Sequence, residues 1–219
     1  MKNSVRPLFV LLSLLGSLLL CGVATAQDAQ KGEKKAAMCI GCHGIPGYQA
    51  SFPEVYKVPM IAGQNAKYIV SALTQYKKGD RKHPTMRAVA TSLSDQDMAD
   101  LAAFYSTLAH ADPAPAALTG TPPTEVADLL KKGNCVSCHG ANFTAPVDPS
   151  YPKLAGQHPD YLYVALKSYQ TDKNPQIGRA NPIMMGMARP YTHEEVKLLA
   201  AYISSLPSEL KTVSQSRWR

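Results

Sequence analysis

The sequence predicts an all-α protein made of two tandem copies of one small helical domain. Three observations carry this prediction. The run Cys-x-x-Cys-His occurs twice, as Cys39-Ile40-Gly41-Cys42-His43 and Cys135-Val136-Ser137-Cys138-His139. Matching sequence follows each run: Pro59-Met60-Ile61-Ala62-Gly63-Gln64 corresponds to Pro152-Lys153-Leu154-Ala155-Gly156-Gln157, and Leu101-Ala102-Ala103-Phe104 to Leu199-Ala200-Ala201-Tyr202. Apolar residues recur at helical spacing, and no convincing alternating strand run is found.

Residues 1–26 read as an export signal. Lys2 and Arg6 are its basic start, Leu8 to Leu20 its apolar core, and Ala24-Thr25-Ala26 a small-x-small cleavage site. Acylation at Cys21 is the alternative, disfavoured by the bulky Leu20 before it. Residues 27–110 form the first domain. A helix near Ala29 to Met38 leads into the first motif, and Asn65 caps a helix through about Lys77. Ser94-x-x-Asp97 approximates a capping box for the last helix, whose apolar stripe is Leu101, Phe104, Tyr105 and Leu108. Residues 111–123 are a Pro/Ala-rich linker, semi-rigid by composition.

Residues 124–219 form the second domain with a basic tail. Thr124 to Lys132 leads into the second motif, and Pro159 opens a helix to about Gln170. Thr192-x-x-Glu195 is a proper capping box before Leu198, Leu199, Tyr202 and Leu206. The tail from Lys211 to Arg219 reads as a frayed terminus, with its Trp-Arg ending as an alternative membrane or partner contact.

Cys-x-x-Cys-His is the attachment signature of c-type haem. Two thiols one helical turn apart each form a thioether with one vinyl group of the same porphyrin. The adjacent histidine then lies under the iron as an axial ligand. The candidate attachment residues are Cys39 and Cys42 for one haem, and Cys135 and Cys138 for the other. His43 and His139 are the candidate iron ligands. A structural zinc site does not need a histidine directly after each pair. A thioredoxin-like site needs a preceding strand, whereas Ala36-Ala37-Met38 looks helical. A pair of small-loop disulfides leaves the histidines unexplained. Four of the five cysteines are thus used, and the fifth, Cys21, lies in the signal. Export places the chain in an oxidising compartment, where bacterial haem attachment occurs.

The formal charge is +7; removing Lys2 and Arg6 leaves +5, and the propionates of two haems, up to four negative charges, offset most of that, so charge does not imply nucleic acid as a partner. Lys77, Lys78, Arg81, Lys82 and Arg87 cluster around Met86. They read either as a solvated helix end or as a docking patch for an acidic partner.

The sixth iron position decides between electron transfer and chemistry on a small molecule. Met86 lies in a loop ahead of the last helix of the first half, and Met184 holds the matching place in the second. Met185 and Met187 are rivals to Met184, and His83 is a rival to Met86. His110, His158 and His193 read as surface or helix-start residues. With both positions filled, no site is left for substrate, and the chain reads as an electron carrier rather than an enzyme.

At these residues the chain resembles the dihaem cytochromes c4. The resemblance rests on the two haem motifs, on Pro152 to Gln157, on Met86 before Leu93-Ser94-Asp95-Gln96-Asp97, and on Met184-Met185-Gly186-Met187 before Pro190. It implies two tandem class I cytochrome c domains related by pseudo-twofold symmetry, with two covalently attached haem c groups whose propionate edges meet at the interface. It implies His/Met ligation at both irons, a periplasmic location, electron delivery toward a terminal oxidase, and peripheral association with the inner membrane. Departures are the Tyr-, Phe- and Pro-rich loop Gly44 to Val58, Tyr191 in place of a leucine, and the basic tail. The alternative function is a cytochrome subunit of a dehydrogenase complex, for example a flavin-dependent sulfide dehydrogenase.

Overall fold

The structure is a computed structural model that describes residues 27–108, 121–171 and 173–214. The export signal with Cys21, most of the linker, His110 and the end of the basic tail lie outside the described residues.

Among the described residues the first half contains five helices: α1 (Ala29–Lys35), α2 (Ala37–His43), α3 (Ala66–Lys78), α4 (Pro84–Thr91) and α5 (Asp95–Thr107). The second half repeats them as α6 (Thr124–Lys132), α7 (Val136–His139), α8 (Pro159–Gln170), α9 (Pro182–Ala188) and α10 (His193–Ser205). Four two-residue strands supplement these: β1 (Gln49–Ala50), β2 (Tyr56–Lys57), β3 (Arg81–Lys82) and β4 (Gly178–Arg179). Strand β1 pairs with β2 inside the Gly44 to Val58 loop, whereas β3 pairs with β4 across the two halves.

Local chemistry sets the helix ends. Asp28 starts α1 by accepting from the Gln30 and Lys31 N–H groups. A break at Ala36 separates α1 from α2, so the expected helix through Met38 is two pieces and the first haem motif lies wholly in the second. Ser94 and Thr192 both form full capping boxes, with Asp97 and Glu195. Asn65 occupies the N-cap of α3, but its side chain donates instead to the Tyr151 carbonyl of the other half at 3.2 Å.

Each half closes on its own core. The first includes Ile40, Ile69, Leu93, Met98, Leu101 and Phe104; the second includes Val126, Leu129, Phe143, Leu162, Val196 and Leu199. The expected stripe on α10 shifts by one step. Leu198 is exposed, and Val196, Leu199, Ala200 and Ile203 face inward at i, i+3, i+4 and i+7. Helices α1 and α5 cross so closely that a Cβ on Gly32 would lie 2.0 Å from the Asp100 carbonyl oxygen. Beside them the fully buried Asp100 carboxylate accepts from Asp28 N–H (3.0 Å), Gln96 Nε2 (2.7 Å) and Lys35 Nζ (3.3 Å).

Two departures from the family pattern gain a physical account. Tyr191 is buried and donates to the Leu129 carbonyl at 2.7 Å, over Gly133, where a Cβ would meet its hydroxyl at 2.3 Å. The larger side chain is therefore matched by a residue with none. The start of the basic tail is pinned rather than frayed. Leu210 is buried, Lys211 N–H donates to the Ala62 carbonyl at 3.2 Å, and Val213 packs on the core of the first half.

Candidate haem-binding site

Helix α2 presents Cys39 and Cys42 one turn apart and ends on His43. These three side chains line a cavity of about 420 Å³ together with Met86, Tyr105 and Arg81, and with Pro152 to Leu154 and Tyr161 from the second half. The four motif cysteines are unpaired thiols. Burial pushes the Cys39 thiol up to about 11 and raises Cys135 as well, so both rest as neutral thiols. Among the described residues no three His, Cys, Asp or Glu side chains converge on a metal position.

The histidine geometry identifies the free nitrogen. His43 Nδ1 lies 2.8 Å from the Pro59 carbonyl oxygen. A carbonyl only accepts, so Nδ1 carries the proton and Nε2 keeps its lone pair for a metal. Burial lowers the His43 pKa, which keeps the ring neutral. His139, also buried, repeats this with the Pro152 carbonyl at 3.3 Å and a pKa lowered for the same reason.

Met86 is not in a loop. It is the third residue of α4, where its N–H donates to the N-cap side chain, His83 Nδ1, at 3.3 Å. Met184 holds the corresponding place in α9, donating to Asn181 Oδ1 at 3.0 Å. Met185 and Met187 have no counterpart of this contact. His83 is fully engaged: Nδ1 faces the Met86 N–H, and Nε2 lies 3.0 Å from the Tyr56 hydroxyl. Neither of its nitrogens is left to bind a metal.

The expected basic patch is split: Lys78 and Arg87 stay exposed, whereas Lys77, Lys82 and Arg81 are engaged by the fold. Lys77 Nζ donates to the Leu93 carbonyl and Lys82 Nζ to the Asn174 carbonyl, both at 2.6 Å. Arg81 is buried at 4% exposure, bonded to Gln75 Oε1 (3.0 Å) and the Tyr68 hydroxyl (3.2 Å). Its counterpart Arg179 donates to the Tyr161 hydroxyl at 3.1 Å. Each guanidinium also lies over two tyrosine rings, Tyr68 and Tyr76 for Arg81, Tyr161 and Tyr169 for Arg179. Among the described residues no carboxylate pairs with either.

Sequence reasoning also missed Gln64 and Gln157, both 4% exposed. Each spans the interface. Gln64 bonds the Lys153 N–H (2.9 Å) and carbonyl (3.0 Å), and Gln157 bonds the Met60 N–H (3.0 Å) and carbonyl (2.9 Å). The repeat of Ala-Gly-Gln in both halves was the available signal.

The donor set suits a covalently held haem. Two half-buried thiols, a neutral histidine with a free Nε2 and a thioether share one cavity with a buried guanidinium that no carboxylate pairs with among the described residues. The buried Tyr105 hydroxyl sits there against the Cys39 thiol without a hydrogen bond of good geometry.

The cytochrome c family model matches residues 29–109 and 124–207. The cytochrome c4 of Azotobacter vinelandii is 31% identical over 218 residues, spanning 90% of this chain and 98% of that protein. A thiosulfate dehydrogenase electron acceptor of Stutzerimonas stutzeri is 31% identical over 207 residues, spanning 88% and 92%. The structure of reduced recombinant cytochrome c4 from Pseudomonas stutzeri superposes with a TM-score of 0.57 at 26% identity, covering 83% of this chain and 100% of that one. With two helical halves, two attachment motifs and this match over nearly the whole chain, the protein belongs to the dihaem cytochrome c4 family: an electron carrier with two class I cytochrome c domains and two covalently attached haem c groups.

Proposed function

We propose that Cys39 and Cys42 tether one haem and Cys135 and Cys138 the other. His43 and Met86 hold the first iron, and His139 and Met184 the second. The protein then moves single electrons between periplasmic respiratory partners, toward a terminal oxidase. The carrying observation is that Cys39, Cys42, Met86 and a His43 with its Nε2 free line one cavity.

The bound haem supplies the one-electron iron couple. The chain's own residues do the rest. Pro59 and Pro152 orient the two histidines through Nδ1. Arg81 with Tyr68, and Arg179 with Tyr161, offer donors to propionates in a setting with no competing carboxylate among the described residues. Ile69, Leu73 and Val89 line the cavity and exclude water from it. A histidine and a methionine that stayed bound in both oxidation states would keep reorganisation small. The export pattern at Lys2 to Ala26 supports the periplasm. Among the described residues no helix is long and apolar enough to cross a membrane, so association with the inner membrane would be peripheral.

One observation favours a dehydrogenase as the donor. The β1–β2 hairpin exposes Tyr48, Phe52 and Val55, with Ile45 nearby, and Tyr48 and Phe52 also line the haem cavity. This apolar edge suits a protein partner, and one relative is named as an acceptor for a dehydrogenase. Purification from the native host followed by sizing separates a free carrier from a complex subunit. Carbon monoxide tests the carrier reading in either case. Rapid binding to the wild-type protein at either haem would mean an open iron and would overturn it.

A further inference from the structure

The two interface glutamines do more than join the halves. Gln157 binds the backbone of Met60, and Met60 follows Pro59, whose carbonyl accepts from His43 Nδ1. Gln64 binds Lys153, and Lys153 follows Pro152, whose carbonyl accepts from His139 Nδ1. Each glutamine therefore clamps, on both the N–H and the C=O side, the residue next to the histidine acceptor of the opposite half. Its own histidine's acceptor is left to the other glutamine. Both amides are buried and bonded at oxygen and nitrogen, so neither has rotational freedom to spare.

The geometry points to a crossed control of the irons: Gln157 positions the acceptor of His43, and Gln64 the acceptor of His139, so each half tunes the reduction potential of the other's haem. This rests on His43 and His139 being the iron ligands. A stronger Nδ1–H to carbonyl bond makes imidazole a better donor to iron and favours the oxidised state. The bond is 2.8 Å in the first half and 3.3 Å in the second. The first histidine is thus held more tightly, and loosening its clamp has more to undo. Gln157 and Gln64 are positioning residues, acting through one peptide unit on a bond to the histidine ring.

The test uses the full haem-loaded chain and the variants Gln157→Met and Gln64→Met, which remove the amide at nearly constant volume. Potentials of the two haems are read separately by spectroelectrochemistry, and the histidine Nδ1 protons by NMR. Gln157→Met is expected to raise the first haem's potential by the equivalent of a threefold to tenfold change in its one-electron equilibrium, ~30–59 mV. It should speed exchange of the His43 Nδ1 proton and leave the second haem unmoved. Gln64→Met should do the converse. Equal shifts at both haems, a shift confined to the mutated half, or no shift would each overturn the proposal. Gln157→Asn and Gln64→Asn keep a polar amide too short to reach, and replace either methionine variant that fails to mature. They carry the same crossed expectation. If the histidines were not ligands, the wild-type protein itself would show no iron-shifted signals from His43 and His139. Failure of that reading is therefore visible before any variant is made.

Discussion

Arg81 and Arg179 face each other in register across the β3–β4 pair, the one strand pairing that joins the two halves among the described residues. Both line a small cavity of about 30 Å³ with Tyr56, Tyr76 and Tyr161, and Arg81 also lines the large haem cavity. A buried guanidinium beside a half-buried one, with no carboxylate paired to either among the described residues, is costly unless an anion joins them. On the reading proposed above, their placement at the interface would let the pair seat the propionates of the two haems.

Removing one of these charges should shift a potential downward, because a nearby cation favours the reduced iron. Arg81→Gln is expected to lower the first haem's potential by about 59 mV, a tenfold change in a one-electron equilibrium. Arg81→Lys should fall between, since the ammonium keeps the charge without the fork. Redox titration with visible spectroscopy reads both, and a potential equal to wild type in Arg81→Gln rejects the assignment.

The methionines are separable by spectroscopy. Met86→Ala and Met184→Ala should each abolish the red-region sulfur-to-iron charge-transfer band of one haem, lower its potential and admit carbon monoxide there. Met185→Ala and Met187→Ala should leave both bands in place. A band lost in Met185→Ala instead would move the second ligand by one residue.

Gly32→Ala forces a methyl group into the Asp100 carbonyl, a backbone atom that cannot turn aside. Overpacking of this kind costs about 1–3 kcal/mol, and a domain of this size loses roughly 4–8 °C of melting temperature per kcal/mol. Calorimetry of the haem-loaded protein should show that loss in the transition of the first half. An unchanged melting temperature would mean that α1 and α5 can separate without cost.

Stability of the same half should fall in acid. Burial pushes the Asp100 pKa up, but hydrogen bonds from Gln96, the Asp28 N–H and Lys35 outweigh it, and the folded value lies below the ordinary carboxylate range. A lowered carboxylate pKa contributes stability that is present above the unfolded value, near 3.9, and lost as pH falls through the folded value. Asp97, held down by Lys35 and Ser94, acts in the same direction. Melting temperatures measured from pH 7 to pH 2 should drop at the acid end, and Asp100→Asn should flatten that limb while lowering stability at neutral pH. An identical acid limb in Asp100→Asn would exclude this group as its source.

Much was legible because it is local. Two thiols and a histidine within five residues need only one turn of helix to act together. The capping boxes at Ser94 and Thr192 are set by contacts three residues long. The repeat of the whole pattern divided the chain into halves and singled out Met86 and Met184. Reading Arg81 as part of a surface patch failed for a reason just as physical. Its charge and its place after the C-cap Gly79 of α3 are those of a solvated helix end. The fold puts it inside, where β3 pairs with β4 and Tyr68, Tyr76 and Gln75 surround its guanidinium.

Amino-acid order alone therefore determined the cofactor and the helical repeat and set out the candidate attachment residues, since each depends on neighbours a few residues apart. Tertiary structure decided the rest: the burial of Arg81, the clamp of Gln64 on Lys153, and the return of the chain from Lys211 to Val213 onto the first half. Those contacts join residues about 90 or more positions apart. Their energy depends on how the halves dock, which no short-range pattern of side chains encodes.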